Sequence, residues 1–250
     1  QWVYHAIGTV LLSHSFLRNL PGVDADRIGL TGISWGGYLT CVTVGVDPRY
    51  KLAAPVYGCG YLGENSTWKD GLDEKGETGQ RWLDLWDPKH YLPFAQAPML
   101  WVNGTNDFAY PMDSMQKSYR LPSTARTLSI KLRMPHGHGE AGEGPEEIHT
   151  FANHILREGP PLARIVEQGR VEDRVTATWR SSVPIVNAEL LYTRDGGKWQ
   201  DRLWETQPVD LDGANDEVSA QLPDGVKVYY LNLIDANGNI VSTEHEELAG

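Results

Sequence analysis

The sequence predicts an α/β domain built on a mostly parallel sheet, spanning residues 1–158, followed by an antiparallel β-sandwich over residues 159–250. Three observations carry this prediction. Up to residue 157, short apolar segments alternate with helical patterns, as strands do when helices cover both faces of a parallel sheet. Past Pro160-Pro161 the texture changes to segments that alternate apolar and polar residues between turn signals, the spacing of a sandwich. Charge divides at the same place: of a net −11, residues 161–250 contribute −8 (16 acidic and 8 basic side chains) and the earlier part −3.

The elements follow in order. Val3, Ile7, Val10, Leu11, Phe16, Leu17 and Leu20 recur at helical spacing, and Asn19-Leu20-Pro21-Gly22 closes that helix. Residues 27–33 read as a strand, 38–45 as a helix stopped by Asp47-Pro48, and 52–57 as a short buried strand. Residues 59–95 are long and irregular, with Tyr61, Trp68, Trp82, Trp86 and Tyr91 scattered among Gly, Asp and Glu. Strands at 98–103 and 128–134 bracket a helix at 114–121, and a helix at 146–156 closes the unit. The sandwich strands are expected at 175–179, 188–193, 199–204, 217–222 and 226–234, with turns at Asp195-Gly196-Gly197, Pro223-Asp224-Gly225 and Asn237-Gly238.

Composition excludes several classes. An acidic chain is a poor ligand for nucleic acid or an anionic membrane. No apolar run reaches membrane-spanning length, and residues 2–20 are interrupted by His5, His14 and Arg18, so a soluble protein is expected. The chain opens on Gln1 without an initiator methionine or signal peptide, and is therefore expected to start inside a longer chain, its cellular address unreadable. Cys41 and Cys59 are too few for a disulfide framework and are read as buried thiols.

Chemistry concentrates at three strand ends. Gly32-Ile33-Ser34-Trp35-Gly36 sits where the strand at 27–33 turns sharply into a helix. Such a turn strains its central residue, and side chains two positions away would collide across it, which glycine prevents. The turn lifts the serine hydroxyl to a helix N-terminus, where backbone N–H groups can meet a developing oxyanion. The strand at 98–103 runs into Gly104-Thr105-Asn106-Asp107, and that at 128–134 into Pro135-His136-Gly137-His138-Gly139. Serine, aspartate and histidine thus each follow a separate strand, in the order Ser, Asp, His.

On the segments GISWGGYLT (32–40), GTNDFAYP (104–111) and MPHGHG (134–139), residues 1–157 resemble the α/β-hydrolase superfamily, in particular its acetylxylan esterase-like and prolyl-oligopeptidase-like members. The resemblance implies an α/β-hydrolase fold, here the C-terminal half of its sheet, because the family's leading strands and Gly-rich oxyanion loop are not in this sequence. The strand at 27–33 is accordingly expected to have one unpaired edge. It implies Ser34 as nucleophile, Asp107 as acid and a histidine of PHGHG as base, with the N–H of Trp35 as one oxyanion donor. It further implies a small-molecule or carbohydrate ester as substrate, a secreted or periplasmic location, and an Ig- or fibronectin-like appended sandwich. Between the histidines, His138 is favoured as the base: it lies between Gly137 and Gly139, and flexible neighbours help a loop return over the sheet. His136, after Pro135 and nearer the strand end, is left to line the pocket.

The roles define acyl transfer without metal or cofactor: histidine takes the serine proton, an acyl-enzyme forms, and water releases it. The leading function is a carbohydrate acetyl esterase; the alternatives are a serine peptidase of prolyl-oligopeptidase type and a non-catalytic binding protein with a hydrolase fold. Competing readings of single residues are weaker. Asp107 as a plain turn residue needs no partner serine and histidine. His136 and His138 as a metal pair lack the Asp-His that would complete the set, since Glu140-Ala141 stands there. Asp235, Asn237, Asn239 and Glu246 follow calcium-loop spacing, but Ile240 occupies the position that needs glycine. Trp82 and Trp86 either stack on a sugar ring or fasten a lid helix to the body.

Overall fold

A computed structural model describes residues 2–248. Helix α1 (Trp2–Leu17) leads into β1 (Leu30–Ile33), α2 (Trp35–Val46) and β2 (Ala53–Val56). After β2 come two short helices, α3 (Lys69–Asp73) and α4 (Glu77–Trp86), then β3 (Met99–Gly104), α5 (Met112–Tyr119), β4 (Arg126–Lys131), α6 (Glu140–Glu143) and α7 (Glu146–Arg157). The four strands form one parallel sheet in the order β1-β2-β3-β4. Every residue of β2 and β3 is buried, which is why both read as continuous apolar runs rather than alternating ones. β1 lies at one edge of this sheet and β4 at the other.

The segment between β2 and β3 is irregular but not loose. Asp87, fully buried, accepts the backbone N–H of Tyr61 (2.8 Å), Leu62 (2.8 Å) and Lys89 (3.0 Å), so one carboxylate folds both ends of the segment together. Trp82 stacks on Tyr38, with ring centroids 6.2 Å apart, and the Trp86 carbonyl accepts the Tyr38 hydroxyl at 2.6 Å. These two tryptophans fasten α4 to the body. Cys41 and Cys59 are free and buried.

The remaining strands are β5 (Arg164–Val171), β6 (Arg174–Arg180), β7 (Ile185–Thr193), β8 (Glu205–Pro208), β9 (Asp210–Asp212), β10 (Glu217–Gln221), β11 (Val228–Asp235), β12 (Ile240–Ser242) and β13 (Glu246–Glu247). They make two antiparallel sheets, β5-β6-β10-β9 and β12-β11-β7-β8, with β13 also paired to β11. Val175 and Trp179 of β6, Val218 of β10, Leu190 of β7 and Leu231 and Leu233 of β11 share one core between them. Along β11 the alternate residues Val228 and Tyr230 point the other way, into the core around the parallel sheet. The second antiparallel sheet is therefore apolar on both faces at its centre.

That arrangement closes the β4 edge. The backbone N–H of Ile130 donates to Ser242 Oγ (2.8 Å), the Ile130 carbonyl accepts Asn232 Nδ2 (3.1 Å), and Ser242 Oγ donates to Asn232 Oδ1 (2.6 Å). Lys131 pairs at 2.8 Å with the buried Glu147 of α7, whose second oxygen accepts the N–H of Ile240 at 2.9 Å. Side chains from the C-terminal sheets thus satisfy backbone groups that an open edge would leave to water.

Three expectations are corrected. Residues 199–204, read as a strand, form a 3-10 turn (Trp199–Asp201) and an extended exit; their tryptophans are buried in the core around the parallel sheet, Trp204 packing edge-on to Tyr230 at 5.6 Å. The strand expected at 128–134 runs from Arg126 to Lys131 and stops three residues early. β5 is an added strand, mostly exposed and held by pairing with β6. The calcium-like spacing is a hairpin turn, in which Asp235 accepts the N–H groups of Asn237 (2.8 Å) and Asn239 (2.9 Å).

Candidate active site

Ser34 sits between β1 and α2 with φ 57° and ψ −116°, a left-handed conformation that costs a non-glycine residue on the order of 1–3 kcal/mol. Two hydrogen bonds hold it there: its N–H donates to the Val56 carbonyl (3.0 Å), and its carbonyl accepts the N–H of Tyr38 (2.9 Å). The glycines divide their duties unevenly. A Cβ on Gly32 would lie 2.4 Å from the Gly36 carbonyl oxygen, and one on Gly37 2.6 Å from the Val56 oxygen, whereas one on Gly36 would meet open space. The elbow therefore depends on Gly32 and Gly37, and the residue that forces the second is the neighbouring strand β2.

From this elbow a continuous relay runs through His136. Its Nε2 is 2.8 Å from Ser34 Oγ and its Nδ1 2.7 Å from Asp107 Oδ2. Asp107 is 2% exposed, and its other oxygen accepts the N–H groups of Ala109 (2.9 Å) and Tyr110 (2.7 Å), which fix the carboxylate's orientation. With Nδ1–H donating to the carboxylate, Nε2 presents its lone pair to the serine hydroxyl.

The histidine in the relay is thus His136, and the expectation of His138 is corrected; His138 lies beyond the relay and is exposed. The reason lies in where β4 ends. Because the strand stops at Lys131, the turn is made by residues 132–135, with Arg133 in the left-handed region (φ 49°) and its N–H donated to Thr105 Oγ1 at 3.0 Å. The chain has already come back over the sheet when it reaches His136. It is then pinned one residue later, where the Tyr57 hydroxyl donates to the Gly137 carbonyl.

Sequence reasoning passed over two residues of this site. Tyr57 immediately follows β2, so all four strands deliver a side chain here, and its ring lies 4.4 Å from that of His136. Burial pushes the Tyr57 phenol up, so it stays a neutral donor. Its place directly after a strand was the available signal. Asn106 donates its amide to the carbonyls of Gln200 (3.0 Å) and Arg202 (2.8 Å), tying the C-terminal part to the Asp107 loop; nothing local in the sequence announces that. Trp35, the first residue of α2, packs against Trp68 (4.6 Å between centroids), which in turn packs against Tyr110 (5.1 Å). Of the tryptophans between β2 and β3, Trp68 is the one brought beside the serine.

Residues 10–157 match the prolyl oligopeptidase family. Among solved structures the chain is similar to an acetyl xylan esterase from Paenibacillus sp. R4, with 21% identity, TM-score 0.53, and coverage of 60% of this chain and 52% of that one. It is also similar to a puromycin-hydrolyzing peptidase from Mycobacterium tuberculosis, with 18% identity, TM-score 0.53, and coverage of 62% and 26%. The chain thus spans about half the length of the first and a quarter of the second. No curated protein matches it. At these identities the likeness is one of fold, an α/β-hydrolase-like fold around the parallel sheet. The family match covers more than half of the sequence and contains the serine elbow, the aspartate loop and the histidine loop alike: the chain belongs to the prolyl oligopeptidase family.

Proposed function

We propose that the protein is a serine hydrolase acting on carboxylic esters through an acyl-enzyme, and that its substrate is an acetylated or similarly acylated carbohydrate. One observation carries the first part: the unbroken Ser34–His136–Asp107 relay, 2.8 and 2.7 Å long, starting from a strained elbow. Ser34 Oγ attacks the ester carbonyl carbon while its proton passes to His136 Nε2. Asp107 steadies the resulting imidazolium. The backbone N–H of Trp35, in the first turn of α2 and so without an intrahelical acceptor, donates to the oxyanion. The C–O bond to the alcohol then breaks, and His136 returns the proton to the departing oxygen. Water deacylates the serine by the same steps, releasing the acid and restoring the hydroxyl.

Support for a carbohydrate is the half-buried pair Trp35 and Trp68, whose flat apolar faces suit the C–H side of a sugar ring. Residues 1–158 supply the relay in this reading, and residues 159–250 form a β-sandwich accessory domain. The family match favours a second reading, hydrolysis of a peptide amide by the same relay. Acetylated xylan, 4-nitrophenyl acetate and a prolyl anilide, assayed side by side, separate the two. Ser34→Ala should abolish turnover of whichever is cleaved and abolish labelling by a fluorophosphonate. Equal labelling of both proteins would remove Ser34 from the mechanism.

A further inference from the structure

A cavity of about 370 Å³ opens beside His136, and its two walls come from parts of the chain far apart in sequence. One wall is Phe108, Arg133 and His136 from the loops after β3 and β4; the other is Gln200, Asp201 and Leu203 from the turn after β7. We propose that residues 200–203 form the far wall of a leaving-group subsite that takes a ring-sized, hydroxyl-bearing alcohol. This rests on the serine-hydrolase reading above and adds to it a position and a chemistry for the departing half of the substrate.

Three observations support it. First, in such a relay the imidazole nitrogen facing the serine must hand its proton to the departing oxygen, so the departing group lies along the accessible side of the imidazole. This cavity is lined by His136 itself, with Ser34 outside its lining, so it takes the part of the alcohol beyond the departing oxygen. Second, its walls have the mixed character of a sugar-sized site. Phe108 is 48% and Leu203 64% exposed, which leaves apolar surface free on both walls, while the exposed Arg133 and Asp201 offer a donor and an acceptor for hydroxyl groups. The volume is in the range that holds one small organic ligand, roughly 300–1,000 Å³.

Third, the far wall is built rather than draped. Asn106, adjacent to Asp107, donates to the carbonyls of Gln200 and Arg202. Arg202, 8% exposed, lies over the Trp199 ring at 3.6 Å and donates from Nη2 to the Gly197 carbonyl at 3.0 Å. The N–H of Leu203 donates to Asp195 Oδ2 at 2.7 Å. The wall is therefore held at a fixed offset from the same loop that carries the relay carboxylate, the condition a positioning surface must meet.

The test compares methyl acetate with an acetylated methyl xyloside, which share an acyl group and differ in the alcohol. In Leu203→Ala and in Asp201→Ala the ratio of kcat/KM for the xyloside over methyl acetate should fall about three- to tenfold. Both positions are on the surface, so the thermal transition should stay in place and report that the fold is intact. A ratio unchanged within twofold in both variants, or an equal fall on both esters, overturns the subsite. If neither ester is turned over, the ester reading fails by itself. The subsite is then read from phosphonylation of Ser34, comparing an aryl phosphonate with a fluorophosphonate in the same variants: a fallen ratio upholds it and an unchanged ratio removes it. A Ser34 unreactive to both reagents removes the hydrolase reading and the subsite together.

Discussion

Replacing Ser242 by alanine tests whether the C-terminal sheets hold the parallel sheet together. The hydroxyl accepts the Ile130 N–H at 2.8 Å and donates to Asn232 Oδ1 at 2.6 Å, and all three residues are buried, with Ser242 and Asn232 at 3% exposure and Ile130 at 0%. Removing it orphans one backbone donor and one amide acceptor, neither within reach of solvent. Each such group costs about 1–3 kcal/mol, so a loss of about 2–6 kcal/mol is expected. In a chain of this size that is a fall in Tm of about 4–24 °C. Urea unfolding followed by near-ultraviolet circular dichroism measures the free energy, and Ser242→Thr, which keeps the hydroxyl, should recover most of it. A loss under about 0.5 kcal/mol, or a threonine variant as unstable as the alanine one, would refute the reasoning and leave β4 an open edge.

Two further outcomes are expected. His136→Ala should lower kcat by at least about a thousandfold whatever the substrate, whereas His138→Ala should change it less than threefold; the reverse pattern would overturn the assignment of the base. Acid should act through Asp47, buried beside His14 at 2.8 Å and bridged twice by Arg49 at 2.7 Å. Burial alone would raise its carboxyl, but the Arg49 hydrogen bonds and His14 outweigh it and hold the pKa at about 2, below the ordinary 3.8. A depressed carboxyl contributes its stability above the unfolded value and loses it as pH falls from about 4 toward 2, here about 2 kcal/mol. Asp47→Asn, though less stable at neutral pH, should show a correspondingly shallower decline of unfolding free energy over that window; an unchanged slope would remove Asp47 as its source.

Much of the parallel-sheet unit is legible from sequence because its central strands are buried on both faces. Residues 52–57 and 98–103 are continuous apolar runs, and the observed strands Ala53–Val56 and Met99–Gly104 fall within a residue of them. The aspartate follows at once from the end of β3, as the serine does from the end of β1. The histidine did not, because Leu132 and Met134 prolong the alternation of β4 past its end, and the turn is made by an arginine in a conformation that its side chain does not advertise. Tertiary contact overrides local pattern again at residues 199–204. Two tryptophans mark the segment for burial, but the turn carbonyls are claimed by Asn106 and the rings by the other core. β5 escapes notice for the opposite reason: nearly all of it is exposed, so no hydrophobic period marks it.

The two-faced burial of β11 bears on how such a protein can have been assembled. A module that is gained or lost by recombination arrives with a polar exterior, since it must survive on its own before it finds a host. The sheet containing β11 has no such exterior at its centre: Val228 and Tyr230, together with Trp199 and Trp204, lie in the core of the neighbouring unit. The C-terminal segment turns toward a partner the side that a free-standing module keeps for water. Grafted onto another protein it would carry an unclothed apolar face, and the unit left behind would display the open strand it used to cover. The two parts are separable as lengths of sequence and inseparable as objects of inheritance, so a change on one side of their seam sets the terms for changes on the other.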